Sequence, residues 1–318
     1  MTINAKLDRR KKIKSQNAFV KDITSNPCLY IMVLPTVLFY AIFAYGPLYG
    51  LIIAFKNYSP ALGILGSPWA ENHGMYHFIE FMTGPFFWRL IKNTFTLSLL
   101  NLILGFPAPI IFAILLNELH NKPFKSIVQS VTYIPHFISM VVVCGLLYTF
   151  LGTNGLINDI IAFFGGERSN LLTRPEYFKM IYVLSDIWQE MGWGSIVYLA
   201  ALTSIDDSLY EAADLDGAGR LSQIIHITLP ALIPTIMTLF ILKIGTILGV
   251  GYEKIILLYN GVTMESADVI SSYVYRRGLV NNDYSFSTAV GLFNAVINFL
   301  ILWITNYTSQ KLTETGLW

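Results

Sequence analysis

The chain has 318 residues, of which 54% are hydrophobic and 13% charged, and its formal net charge is +1. Soluble domains are about a quarter charged, so this chain has roughly half the charge needed to coat a water-facing surface. That balance excludes an ordinary soluble domain and argues against a nucleic-acid partner, which needs a basic surface; an all-α integral membrane protein is expected.

Residues 1–26 hold Lys6, Arg9, Arg10, Lys11, Lys12, Lys14 and Lys21, a basic tail expected to stay in the cytoplasm. No cleavable signal peptide is expected: the charged region is long, the next apolar run has 28 residues, and no small-residue cleavage site follows. A helix needs about 20 apolar residues to cross the hydrocarbon core. Six spans are expected on that basis, at 28–55, 93–117, 126–151, 180–205, 231–252 and 286–307. His136 is the titratable residue of the third, Asp186 and Glu190 mark the fourth, and Lys243 interrupts the fifth. Pro35, Pro47, Pro107 and Pro109 lie within spans, where neighbouring helices can satisfy the freed carbonyls. Cys28 and Cys144 sit in apolar runs and read as packing residues.

With the N-terminus inside, the loops at 117–126 and 204–230 and the tail at 311–318 are cytoplasmic. They add only Lys122, Lys125, Arg220 and Lys311, fewer cations than the outward flanks carry. Orientation by charge therefore rests on the N-terminal tail alone.

The loop between the fourth and fifth spans is the most distinctive segment. Ser208 and Glu211 have the spacing of a capping box, and Asp206 and Asp207 add negative charge at the positive end of a helix. That helix is expected to run through Leu215 and stop at Gly217, in a left-handed conformation. A second helix from Gly219 should carry Leu221, Ile224, Ile225 and Thr228 on one face until Pro230 and Pro234 reset the chain. Ala212 and Ala213 keep the first helix slim, so a partner's groove could approach its backbone. An amphipathic hairpin on the lipid headgroups is the other reading.

Glu211-Ala212-Ala213, Asp216-Gly217-Ala218 and the later Ile227, Leu229 and Pro230 resemble the EAA loop of ABC-importer permeases. Further segments resemble carbohydrate-uptake permeases related to the larger maltose subunit, in the oligosaccharide subfamily that works with substrate-binding lipoproteins. These are the stretch 133–139 around Pro135, Pro27-x-Leu-Tyr, the run from Tyr45 to Lys56, and the run from Ala267 to Gly278. The maltose subunit's two extra N-terminal helices and large outer domain have no counterpart here.

The resemblance implies a type I ABC-importer permease fold over residues 27–310, in a bacterial plasma membrane with both termini cytoplasmic. It assigns coupling to Glu211, Ala212, Ala213, Asp216 and Gly217, through docking on an ATP-binding subunit. The implied partners are a second, similar permease, two ATP-binding cassette subunits and an extracellular binding protein, besides membrane lipid. No GxxxxGK[ST] phosphate loop occurs, so ATP and Mg are expected on the partner subunits, with no cofactor and no catalytic residue in this chain.

Asp186, Gln189 and Glu190 share one face of the fourth span, with Trp188 and Trp193 near. Ionisable residues in a membrane usually face a cavity, and aromatic rings stack on sugar C–H faces. His136, Ser139 and Tyr252 complete the candidate substrate path, and by resemblance the region after Pro135 and the segment around Asp186 line it. Alternatively, Asp186 or Glu190 pairs with Lys243 or with the partner permease. Asn294 and Asn298 suit interhelical hydrogen bonds, and Gly46/Gly50 and Gly245/Gly249 suit close packing. His73 and His77 lack a clear third ligand, so no metal site is expected. The outer segment from Glu253 to Tyr284 is expected to meet the binding protein or to form a solvated cap. An ion-coupled carrier, or an importer of a non-sugar solute, is the competing functional reading. An intramembrane enzyme is not expected, since neither HExxH nor GxSxG occurs.

Overall fold

The computed structural model describes residues 22–313 except Thr24. Most of the basic N-terminal tail and residues 314–318 therefore lie outside the described residues. Every regular element among the described residues is helical, with one isolated bridge between Lys56 and Trp69. They form two compact units, one running to Ile53 with Tyr58–Ser67 added, the other made of Ala54–Asn57 and the chain from Pro68 onward.

The first unit is dominated by helix α1, Pro27–Phe55, whose last two residues belong to the second unit. None of residues 27–53 is buried, so this apolar helix gains no core of its own. The 58–67 turn is closed by Ser67, whose Oγ accepts from the Ser59 amide at 3.0 Å and donates to the Gly63 carbonyl at 2.6 Å.

In the second unit, α2 (Tyr76–Thr83) leads into α3 (Phe87–Asn117). The third expected span, 126–151, is not one helix. Helix α4 (Lys122–Tyr133) ends in a 3-10 turn at Ile134–Phe137, and α5 (Met140–Leu151) starts afresh. Pro135 and the extended backbone at Ile138 and Ser139 break the run. The stretch here that is long and apolar enough to cross a membrane is instead Met140–Phe163, α5 followed by α6 (Leu156–Phe163).

Helix α7, Pro175–Leu202, is the spine of this unit and packs against α3 and α4. At the α4 crossing a Cβ on Gly192 would collide with the Thr132 carbonyl, so only glycine permits this approach. Of the glycine pairs read from the sequence, Gly245 does face another helix, at Leu302, whereas Gly50 has nothing near it.

Beyond α7 come α8 (Asp207–Leu215) and α9 (Arg220–Gly245). The second loop helix and the fifth span are thus continuous: Pro230 and Pro234 do not reset the chain. A π-helical turn at Ile224–Thr228 widens the helix where the Pro230 ring would meet the His226 carbonyl. The same device precedes Pro47, at Tyr40–Tyr45, and Pro107, at Asn101–Gly105. The fifth span also ends at Gly245 rather than 252, because the glycine-rich stretch 246–251 forms turns closed by Thr246 and Gly249 amides.

Short helices α10 (Tyr252–Leu258) and α11 (Ile270–Tyr275) precede the final helix α12, Tyr284–Thr313. Among the described residues, α1, α3, Met140–Phe163, α9 and α12 are long and apolar enough to cross a membrane. Helix α7 has the length, at 28 residues, but carries Glu176, Lys179, Asp186 and Glu190; the six-span count requires that it cross as well.

Much of the outer segment is packed rather than solvated. Ile255, Leu258, Ala267 and Val269 join Leu97, Cys144, Phe178 and Tyr182 in one core. Asp268, whose side chain is fully buried, takes Arg276 at 2.6 Å, Arg89 at 3.5 Å and the Ser272 hydroxyl at 2.7 Å. On α12, Asn298 accepts from the Leu248 amide at 3.1 Å and Asn294 donates to its carbonyl at 3.4 Å, so both asparagines hold the turn after α9 rather than bond to another helix.

Candidate functional site

Two regions carry the candidate residues. The first is the loop around α8. Its N-cap is Asp206, not Ser208: the Asp206 carboxylate accepts from the Ser208 amide at 2.9 Å. An earlier acidic residue in extended conformation takes the cap that the sequence spacing assigns to Ser208 and Glu211. The Ser208 amide and hydroxyl hold the Asp206 carboxyl below the usual aspartate range. That contribution is complete above the ordinary aspartate value and is lost as pH falls through the depressed one, so the cap is fully formed at neutral pH.

The helix ends as expected. Gly217 adopts φ +73°, the Ala218 amide reaches back to the Ala213 carbonyl at 2.9 Å, and the Gly217 amide to Asp214 at 3.1 Å. The start of α9 then clamps the hairpin. Tyr210 and Thr228 share a 2.9 Å hydroxyl contact, and Gln223 donates to Asp214 at 2.5 Å and to the Ala218 carbonyl at 3.2 Å. Arg220 reaches Glu118, at the end of α3, at 3.4 Å. Glu211, Ala212, Asp216 and Gly217 remain exposed and Ala213 half-buried, beside a Leu215 that is 90% exposed. The hairpin is anchored from behind and offers a small-residue, acidic front.

The second region is a cleft of about 340 Å³ between α7, the middle of α3 and α9. Asp186, near the middle of α7, faces it. Lys254 donates to Asp186 Oδ1 at 2.6 Å and to the Tyr182 carbonyl at 3.1 Å, with its Nζ 4.7 Å from the centre of the Tyr182 ring. Asn101 donates to Asp186 Oδ2 at 2.8 Å. One turn on, Glu190 contacts His136 Nδ1 at 2.9 Å, and the His136 ring lies flat on Trp193 with centroids 4.5 Å apart. Gln189 is turned aside: it is buried and donates to the Ile138 carbonyl at 3.1 Å, bracing the break between α4 and α5.

The structure thus joins Asp186, Glu190 and His136 into one polar strip and sets the other expected residues apart. Trp188 is on the far face of α7, in an apolar hollow with Leu147 and Leu184. Tyr252 stacks on Tyr275 at 5.1 Å and lines a separate hollow of about 460 Å³ with Ser271 and Asn294. Ser139 is exposed at the start of α5 and makes no capping bond there. The alternative reading pairs Asp186 or Glu190 with Lys243 or the partner permease; Asp186 does pair with a lysine, but with Lys254, because the turns after Gly245 fold α10 back onto α7. Sequence reasoning missed Asn101, whose polarity inside an apolar run was the available signal, and Lys254, which follows Glu253 outside every expected span and gave none. Among the described residues no cluster of three or more His, Cys, Asp or Glu side chains could hold a metal ion.

Residues 105–314 match the family model described as "Binding-protein-dependent transport system inner membrane component". The polygalacturonan/rhamnogalacturonan transport system permease protein YteP of Bacillus subtilis (strain 168) is 46% identical over 309 residues, 97% of this chain and 95% of that protein. A chain in the crystal structure of a bacterial ABC transporter involved in the import of the acidic polysaccharide alginate superposes with a TM-score of 0.85. It is 45% identical, over 93% of this chain and 99% of that one. A second structure of the bacterial alginate ABC transporter, in complex with alginate pentasaccharide-bound periplasmic protein, matches equally, with TM-score 0.85.

Proposed function

The chain belongs to the family of binding-protein-dependent transport system inner membrane components, and from that premise we propose that it is the permease subunit of an ATP-driven importer carrying a sugar or oligosaccharide. One relative is a polygalacturonan/rhamnogalacturonan transport system permease and another belongs to a transporter involved in alginate import, which supports a carbohydrate cargo. The partners are a second, similar permease, two ATP-binding subunits that hold ATP and Mg, and an extracellular binding protein. The chain crosses the membrane several times, with both termini in the cytoplasm.

The observation that carries this reading is the α8 hairpin, clamped by Tyr210, Gln223 and Arg220 yet exposing Glu211, Ala212, Asp216 and Gly217. A helix fixed to the bundle but bare in front transmits a push from a docked subunit. Closure of the ATP-bound motor would then rock the bundle between outward- and inward-facing states.

The test is co-purification with the partner permease and ATP-binding subunit, then ATP hydrolysis with and without loaded binding protein. Gly217→Pro, which cannot hold φ +73°, and Ala212→Trp, which adds bulk on an exposed face, are each expected to cut stimulated hydrolysis roughly tenfold. If the chain purifies alone, binds sugar alone and ignores both substitutions, a carrier replaces the importer.

A further inference from the structure

We infer that Lys243 is the cargo-selecting residue of the cleft and that the sugar it selects is acidic, a uronate carboxylate meeting its ammonium. The inference rests on the importer reading and narrows its cargo.

Lys243 lies in the last turn of α9 and lines the 340 Å³ cleft together with Asp186, Glu190 and Asn101. It also lines a smaller adjoining hollow of about 120 Å³, which again includes Asn101 and Asp186. The lysine therefore stands where the two spaces meet. Each carboxylate there is already engaged: both Asp186 oxygens by Lys254 and Asn101, and Glu190 by His136. Lys243 is left exposed to the cleft with no carboxylate within ion-pair distance among the described residues.

A charged group within a membrane bundle is normally paired or placed on a water-filled path. Lys243 borders the cleft and lacks the pair. The negative end of the α9 dipole favours its charge while the cleft is empty. An entering carboxylate replaces lost water with a charge-assisted hydrogen bond, whereas a neutral hydroxyl leaves the ammonium without a counter-charge. The asymmetry favours a uronate over the neutral sugar of the same shape. Trp193, stacked on His136 beside Glu190, offers no charge and so does not discriminate between them.

The experiment uses the full complex in proteoliposomes with its binding protein, and compares uptake of labelled trigalacturonate and galactotriose by wild type, Lys243→Met and Lys243→Arg. Trigalacturonate uptake is expected to fall roughly tenfold in Lys243→Met and to be retained in Lys243→Arg, with the yield of assembled complex kept in both. Unchanged trigalacturonate uptake in Lys243→Met overturns the assignment. So does wild-type preference for galactotriose, and so does an equal loss of assembly in both variants, which would make Lys243 only a helix-end charge. Those three results leave the importer reading standing. Failure of the wild-type complex to import any sugar or respond to the binding protein overturns that reading itself.

Discussion

Lys254 is 2% exposed, and its ammonium has Asp186 as its counter-ion. Removing one partner of a buried pair leaves an uncompensated charge, at a cost of about 3–5 kcal/mol, whereas replacing both by uncharged groups of similar size is often neutral. Asp186→Asn should therefore lower the thermal midpoint of the purified complex sharply, and adding Lys254→Met should recover most of the loss. A double variant no better than the single would show that the pair is not what holds α10 against α7. Asp186 was legible in the sequence as a residue needing an explanation, because a carboxylate in an apolar run is costly wherever it sits. Its partner was not legible. Lys243 is the lysine of the adjacent span, and only the turns through Gly249 and Gly251 bring Lys254 to within 2.6 Å instead.

At the scale of elements, apolar runs located most of the helices that are long and apolar enough to cross a bilayer, since length and composition are what the bilayer demands. Breaks inside those runs were harder to see. Pro135 interrupts α4 completely, while Pro230 is absorbed, and nothing in either local sequence distinguishes them; the difference lies in the π-helical turn at Ile224–Thr228. Such a turn carries one surplus residue, and removing it rotates everything on one side by about 100°. Deleting Ile225 is thus expected to leave a membrane-inserted, assembled chain whose stimulated ATP hydrolysis is lost, because the α8 hairpin then faces the wrong way. Ile225→Leu should hydrolyse like wild type. If the deletion couples normally, the turn is only a relief for the proline ring. The α8 end at Gly217 was readable because left-handed backbone favours glycine, but its beginning was displaced to Asp206, since several acidic and hydroxyl side chains there compete for one cap.

For the molecule as a whole, the outer segment is where sequence and structure part most. Its Tyr, Asn and Ser content suggested a binding-protein contact or a solvated cap; Thr263, Asp268, Val269 and Ser272 are nonetheless buried, which no solvated cap requires. Polarity there serves an internal network, with Asp268 holding Arg276 and Arg89, and Arg277 bridging Asp283 at 2.7 Å and Glu80 at 3.0 Å. Asp268→Ala should loosen the segment, seen as faster amide exchange across 253–283. It should also reduce the ATP hydrolysis evoked by loaded binding protein while sparing the basal rate; unchanged exchange would mean the arginines hold the segment without it. Lys254 fastens this same segment to the middle of α7, beside the cleft. The outer segment and the cleft wall are thereby joined through one buried ion pair. On the proposed function, a push by the binding protein on the outer segment would reach the cleft through the Lys254–Asp186 contact.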